Sequence, residues 1–392
     1  MTFVAEILAR LPGLAKPQLR FMLAMFAAFF SFAGRANRTN LHRYGAPSPR
    51  TQYRWARRDF DFVDFNLQAL QQAGVFEHEL VTVIDESFID KSGQQSHGLG
   101  WFYDGCAGRA RKGQALSLIG LVDLDEHVAY ALDARQVPAK NPQETSLAFA
   151  ARQYTELRPR LPETISICLA DGGYAKKPFV DGVCGCGDTL ISKLRKDASM
   201  RYLYTGPQKT GPGAPKRYDG KVRYDDLSRW RWMGEVEAGV SLLTTVLWHN
   251  SLKRQIRVVM LRWEAKGKWK HVLLFSTDPE MDPWQVYRLY SARFQIEFLF
   301  KDGKQHLGLA DCQARDEEAL HFHFNLSLAA LNLLRIQEVQ RGEGVISIAS
   351  ARRRKQNENL MNRIFSILGI DSTQPQIQPH LPEIRDYGVI AA

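Results

Sequence analysis

Near residue 80 the periodicity of the chain changes from helical to extended, and the order of the segments that follow admits few folds. The runs 81-VTVIDES-87, 115-ALSLIGLVDL-124 and 127-HVAYALDA-134 are rich in β-branched and apolar residues and are separated by turn residues. Asp125-Glu126 between the second and third runs predicts a hairpin. A helix is expected over about 143–157, with Pro142 and Glu144 marking its start. A strand at 165-ISICLA-170, a helix from Ala175 and a strand at 188-DTLISKL-194 come next. The order is three antiparallel strands, helix, strand, helix, strand.

That order matches a ribonuclease-H-like α/β core spanning 76–198. Residues 199–280 read as a β-rich insertion. It opens with the exposed loop 206-GPQKTGPGAPKRYDGK-221 and continues in strands near 240–249, 255–264 and 269–277. Helical periodicity returns at Pro283, and 281–345 reads as the second part of the core, with a long helix at about 315–340. Residues 346–392 read as a peripheral tail. Residues 1–75 read as a small helical domain. Its run 21-FMLAMFAAFFSFAG-34 falls short of the roughly 20 apolar residues that span a bilayer, so it predicts a buried helix. No secretory leader and no membrane association are expected.

Charge points to a polyanionic partner. Lys and Arg total 52 against 42 Asp and Glu, a net +10. Residues 1–60 hold ten Lys/Arg against two Asp/Glu, a net +8, and 193–223 hold nine against two, a net +7. In the first cluster a short helix, a turn and 48-SPRTQYRWARRDF-60 resemble a helix-turn-helix, with Tyr53, Arg54, Arg57 and Arg58 on the second helix. The same residues also fit a solvated basic helix. In the second cluster Lys193, Arg195 and Lys196 are candidates for tracking a DNA backbone, and Arg109, Arg111 and Lys112 form a further basic set. The five cysteines read as reduced thiols. Cys184-Gly-Cys186 has no second cysteine or histidine pair at zinc-ligand spacing.

Three acids stand out by position. Asp85 lies within the apolar strand after Ile84, where an ionised group is costly unless paired or bound to metal. Asp171 ends the strand 165–170 and precedes Gly172-Gly173-Tyr174, at the carboxyl end of a strand where active groups of α/β sheets collect. Glu297 belongs to 290-YSARFQIEFLFKDGK-304, in which Tyr290, Arg293, Glu297 and Lys304 are spaced to share one helical face. The opposite face, with Phe294, Ile296, Phe298, Leu299 and Phe300, is expected to dock on the sheet. Each acid alone also fits an ordinary turn or cap. Together they would suit a pair of hard divalent cations.

The pattern Tyr290-x2-Arg293-x3-Glu297-x6-Lys304 resembles the YREK signature of the bacterial insertion-sequence transposase family numbered four, which is related to the transposon-five transposase. The stretches 84-IDES-87 and 170-ADGGY-174 are similar to that family's motifs around its first two aspartates. The resemblance covers about residues 30–340. It implies a DDE transposase in which Asp85, Asp171 and Glu297 hold two magnesium ions, with manganese able to substitute. It implies a nick at the transposon end, a hairpin made by the freed 3′-hydroxyl, and strand transfer into target DNA. Tyr290, Arg293 and Lys304 would grip phosphates, which suits a phenol, a forked guanidinium and a point charge. Relatives hold a flipped base on a tryptophan, and Trp230, Trp232, Trp248, Trp263 and Trp269 all lie in the insertion. A homodimer on paired double-stranded ends, no small-molecule substrate, and a cytoplasmic, nucleoid-associated location are implied as well. The rival readings are a domesticated DNA-binding relative, a simple helix-turn-helix regulator, and a metal-dependent structure-specific nuclease.

Overall fold

A computed structural model describes residues 1–139, 144–208, 210–211, 213–341 and 347–390. Five helices come first: α1 (Thr2–Arg10), α2 (Lys16–Ser31), α3 (Arg38–Arg43), α4 (Pro49–Trp55) and α5 (Phe62–Gln72). The extended segment then supplies β1 (Leu80–Asp90), β2 (Gly100–Asp104), β3 (Arg109–Asp123) and β4 (Val128–Gln136). Next are α6 (Ser146–Leu157), β5 (Ile167–Ala170), α7 (Lys177–Gly185) and β6 (Thr189–Leu194). Six strands follow: β7 (Met200–Leu203), β8 (Tyr218–Lys221), β9 (Arg231–Glu237), β10 (Val240–His249), β11 (Arg254–Ala265) and β12 (Lys268–Ser276). The chain closes with α8 (Pro283–Ala292), α9 (Gln295–His306), α10 (Glu317–Arg341), α11 (Ile348–Leu368) and α12 (Leu381–Arg385).

Strand β2 was absent from the sequence-based order. Pro142, read as part of the start of α6, and the boundary at 345–346 lie outside the described residues. The chain forms two compact units. One comprises Met1–Glu79, Glu86–Ala139 and Ile296–Ala392, and the other Leu80–Asp85 and Lys140–Gln295.

In the first unit, aromatic residues knit the N-terminal helices to α10. Phe26 of α2 stacks on Phe65 of α5 with ring centroids 4.9 Å apart, and Phe21 lies 5.9 Å from Phe322 of α10. The apolar run in α2 is thus buried within the fold, as expected. No helix of the described residues is long and apolar enough to cross a membrane. Ser48 caps α4 by accepting from the Thr51 N–H, and Pro49 occupies its first turn.

Helix α10 is buried almost all round between Ala319 and Ile336, yet it carries Asn325 and Asn332 in that stretch. Both asparagines pair with the backbone of β4, whose described strand partner is β3 alone. Asn332 accepts the Ala131 N–H at 2.9 Å and donates to the Ala131 carbonyl at 2.7 Å. Asn325 does the same for Ala134, at 3.1 and 2.9 Å. Asn66 of α5 donates to Leu132 O at 3.2 Å and accepts from Asn332 at 3.1 Å. The side chains therefore stand in for a missing strand. Ala131 and Ala134 reach the same edge despite their odd spacing because the β3–β4 register slips between Ile119 and Gly120. Glycine is needed at 120, since an added Cβ would lie 2.5 Å from the Tyr130 carbonyl oxygen.

The β3–β4 turn is closed by Asp123, whose Oδ1 accepts the N–H groups of Asp125 and Glu126, both at 3.1 Å. Its Oδ2 lies 2.6 Å from His78 Nδ1, and Asp125 accepts the Glu79 N–H at 3.0 Å. His78, Asp123 and Asp125 have ligand-type atoms within 4.8 Å of one another. These oxygens are engaged in closing the turn, which accounts for the cluster.

In the second unit, residues Leu80–Asp85 of β1 pair in parallel with β5, and β5 in parallel with β6. The crossovers are α6 and α7, packed on each other. Asp188 sits between Arg158 and Tyr154, each at 2.6 Å, so this buried carboxylate is paired and hydrogen-bonded. The residues read as an insertion supply β7–β12. Strand β12 runs antiparallel to β6, with Leu273 opposite Leu194 and Ser276 opposite Ile191. Strand order then continues through β11, β10, β7 and β8, with β9 also on β10.

Asn332→Ala strands the Ala131 N–H and carbonyl in the interior, and about 2–4 kcal/mol of stability should be lost. A drop in the denaturant midpoint at unchanged slope would report it. The second expectation concerns pH. Hydrogen bonding to Asp123 raises the His78 pKa above its ordinary value. The stabilisation is therefore fully present below about pH 6.5 and fades as pH rises through the higher folded-state value. Stability measured from pH 5 to 9 should show that decline in the wild type, and His78→Gln should remove it.

Candidate active site

The register of β1 and β5 places two of the three expected acids. Ile84 lies opposite Ala170, and the next residue on each strand is Asp85 and Asp171. Adjacent parallel strands lie about 4.8 Å apart, and residues in register point to the same face. Asp85 continues β1, and Asp171 is the first residue after β5, so the two acids follow directly on the last paired residues of these strands. The Asp171 backbone carbonyl accepts from Ser192 Oγ of β6 at 2.9 Å and from the Tyr174 N–H at 3.0 Å. A Cβ on Gly172 would lie 3.0 Å from the Lys193 carbonyl, so the glycine after Asp171 lets the loop turn tightly against β6.

Two residues of the tyrosine–arginine–glutamate–lysine pattern join them. Arg293 is 6% exposed, and its guanidinium is 3.3 Å from Asp85 Oδ2. It also packs over the rings of Phe294 and Tyr290, with centroid distances of 4.9 and 5.8 Å. Burial raises the Tyr290 pKa. The Asp171 and Asp85 carboxylates add to that rise, while Arg293 opposes it. The Tyr290 hydroxyl thus stays a hydrogen-bond donor at neutral pH, beside both aspartates. Oxygen donors of this kind suit hard cations such as magnesium or manganese.

The single helix expected over 290–304 is two helices. Helix α8 ends at Ala292, and Arg293 takes up the C-cap with helical torsions of −51° and −33° before α9 begins at Gln295. The docking face also differs from expectation. Ile296, Leu299 and Phe300 are buried, whereas Phe294 and Phe298 are 52% and 48% exposed.

Glu297 and Lys304 belong to the first unit. Glu297 lies in the first turn of α9 and is exposed. Lys304 Nζ donates to Ser87 Oγ at 2.7 Å and to Phe88 O at 2.8 Å, both on the second half of β1. Burial lowers its pKa. Sequence reading missed Ser87 and Ser192. Both neighbour an identified acid or its strand, which was the available signal.

The remaining candidates are dispersed. Tyr53, Arg54, Arg57 and Arg58 are all exposed on and just after α4. Arg57 pairs with Asp316 at 3.4 Å, and Arg38 and Arg57 flank the Tyr53 ring at 4.8 and 5.0 Å. Lys193 is half-buried on β6, and Arg195 and Lys196 are exposed beyond it, with Arg195 3.2 Å from Asp197. Among the tryptophans, Trp230 is buried, while Trp232 and Trp269 are 64% and 59% exposed.

Arg293→Met removes the cation beside Asp85. Breaking a buried pair costs about 3–5 kcal/mol, and the partial exposure of Asp85 reduces this to roughly 2 kcal/mol. Denaturant unfolding of the variant against the wild type measures it.

The profile of the transposase DDE domain family matches residues 77–333, more than half of the chain. The transposase for insertion sequence element IS231F of Bacillus thuringiensis subsp. israelensis is 22% identical over 268 residues, covering 61% of this chain and 53% of that protein. The chain spans about half the length of that relative. The chain belongs to the transposase DDE domain family.

Proposed function

We propose that the protein is a DNA transposase that cuts at transposon ends and joins them to target DNA, with Asp85, Asp171 and Glu297 as its catalytic acids. The observation that supports this reading is the parallel register of β1 and β5, which puts Ile84 opposite Ala170, the residues just before Asp85 and Asp171. In this reading the three carboxylates hold two magnesium ions, which supply Lewis-acid stabilisation of the attacking and leaving oxygens. The chemistry at each step is a phosphoryl displacement. A water or a 3′-hydroxyl oxygen bonds to phosphorus, the bond to the departing 3′ oxygen breaks, and that oxygen leaves with a proton. A hairpin intermediate, cut-and-paste transfer and a homodimer on paired ends complete the proposal.

The side chains of this site fit those tasks. Tyr290 presents a protonated phenol to a phosphate oxygen. Arg293 neutralises Asp85 and stiffens it while its stacked guanidinium faces the same region. Lys304, in this reading, adds positive charge near the scissile phosphate from its anchor on Ser87. Tyr53 and the basic residues Arg54, Arg57 and Arg58 of 1–75, and Lys193, Arg195 and Lys196, contact the duplex ends, and 199–280 acts as an insertion. Within the insertion, exposure favours Trp232 and Trp269 for holding a flipped base. The setting proposed is the cytoplasm, on the nucleoid.

The test uses labelled DNA carrying the element's ends with magnesium or manganese. The expected products are nicks, hairpins and joined strands. Asp85→Asn, Asp171→Asn and Glu297→Gln should each lower cleavage at least about a thousandfold while DNA binding persists. Cleavage that survives Glu297→Gln would overturn its assignment. Binding without cleavage by the wild type would favour a domesticated relative, and cleavage without joining a nuclease.

A further inference from the structure

The ribbon formed by β2 and the start of β3 carries two large aromatics that the fold does not use. Trp101 and Tyr103 are 72% and 68% exposed, far more than a core role allows. They are two residues apart on one strand, so they share a face of the ribbon. The antiparallel register puts Lys112 opposite Trp101 and Ala110 opposite Tyr103, which adds an exposed ammonium to that face. Arg109 is exposed at the ribbon's end. The opposite face is a brace. Arg111 pairs with Asp104 at 2.8 Å and Asp90 at 3.0 Å and covers the Phe88 ring at 5.5 Å. The ribbon is thus held to β1 from behind, with its aromatics outward.

Two rigid aromatics with an adjacent cation, on a braced strand pair, match the chemistry that holds unpaired nucleotides. Every base offers a π-face to a ring, and the lysine meets the backbone phosphate. A duplex keeps its base faces stacked and offers only charge. We propose that Trp101 and Tyr103, with Lys112, form a stacking platform for unpaired bases of DNA. This rests on the transposase reading for its substrate class, and it assigns the unpaired strand to a surface outside the acidic site.

Fluorescence anisotropy with a labelled single-stranded oligonucleotide and a blunt duplex of equal length, at one fixed salt concentration, tests it. The double variant Trp101→Ala/Tyr103→Ala should bind the single strand about tenfold more weakly, with duplex affinity changed less than about twofold. The conservative Trp101→Phe/Tyr103→Phe variant should bind the single strand as the wild type does. Equal loss on both DNAs, or no loss, overturns the platform, as does a wild type with no affinity for single strands. The readout needs no cleavage. A chain that binds unpaired DNA through these residues but never cuts would sink the transposase reading and leave the platform standing. One that cuts and joins without the loss would sink the platform alone.

Discussion

The parallel pairing of β1 with β5 is the constraint on which the candidate site depends. With Ile84 opposite Ala170, the residues that follow, Asp85 and Asp171, leave the paired stretch from neighbouring positions. Both are aspartates, and two ionised carboxylates about 5 Å apart repel by roughly 3 kcal/mol at an effective dielectric near 20. The fold offsets part of this with one buried guanidinium. Arg293 reaches Asp85 from the end of α8, and α8 is itself held against β6, β11 and β12. The strands that read as an insertion thus support the helix that supplies the counter-charge. In the proposed reading, a cation held by the carboxylates would relieve the remaining repulsion.

What sequence could reveal follows from which interactions leave a periodic trace. Strands β1, β3, β4, β5 and β6 were legible because their burial demands runs of apolar residues, and Asp85 and Asp171 were legible as breaks in such runs. Strand β2 was not. As a ribbon edge with Trp101 and Tyr103 exposed, it shows no apolar alternation toward a core. The end of α8 was hidden for another reason. Arg293 keeps helical torsions and no glycine or proline marks the break, so the side-chain spacing continues while the hydrogen-bond ladder stops.

The asparagines of α10 illustrate a different limit. A helix buried on all sides is ordinarily apolar throughout, and Asn325 and Asn332 look out of place in 315–340. They are explained only by β4, an edge that lies some 190 to 200 residues earlier in the chain. Pairing between side-chain amides and peptide groups satisfies both partners at Ala131 and Ala134 of β4. A bulge at Gly120 sets which carbonyls are offered. Neither the bulge nor its complement can be inferred from either segment alone.

Lys304 brings the pattern that first pointed to function into contact with the strand bearing the first aspartate. Its ammonium bonds to Ser87 and Phe88, two and three residues beyond Asp85. Glu297 lies seven residues before it on α9, close to two helical turns. The lysine therefore fixes how far along its axis α9 sits against Ser87 and Phe88, and so where Glu297 stands relative to them. A cation bonded in this way is partly committed, with one ammonium hydrogen left for an anion. Its tie to a backbone carbonyl makes it a registration device as well as a charge. That double duty accounts for a half-buried lysine, at the cost of a depressed pKa, where a surface lysine would supply charge alone.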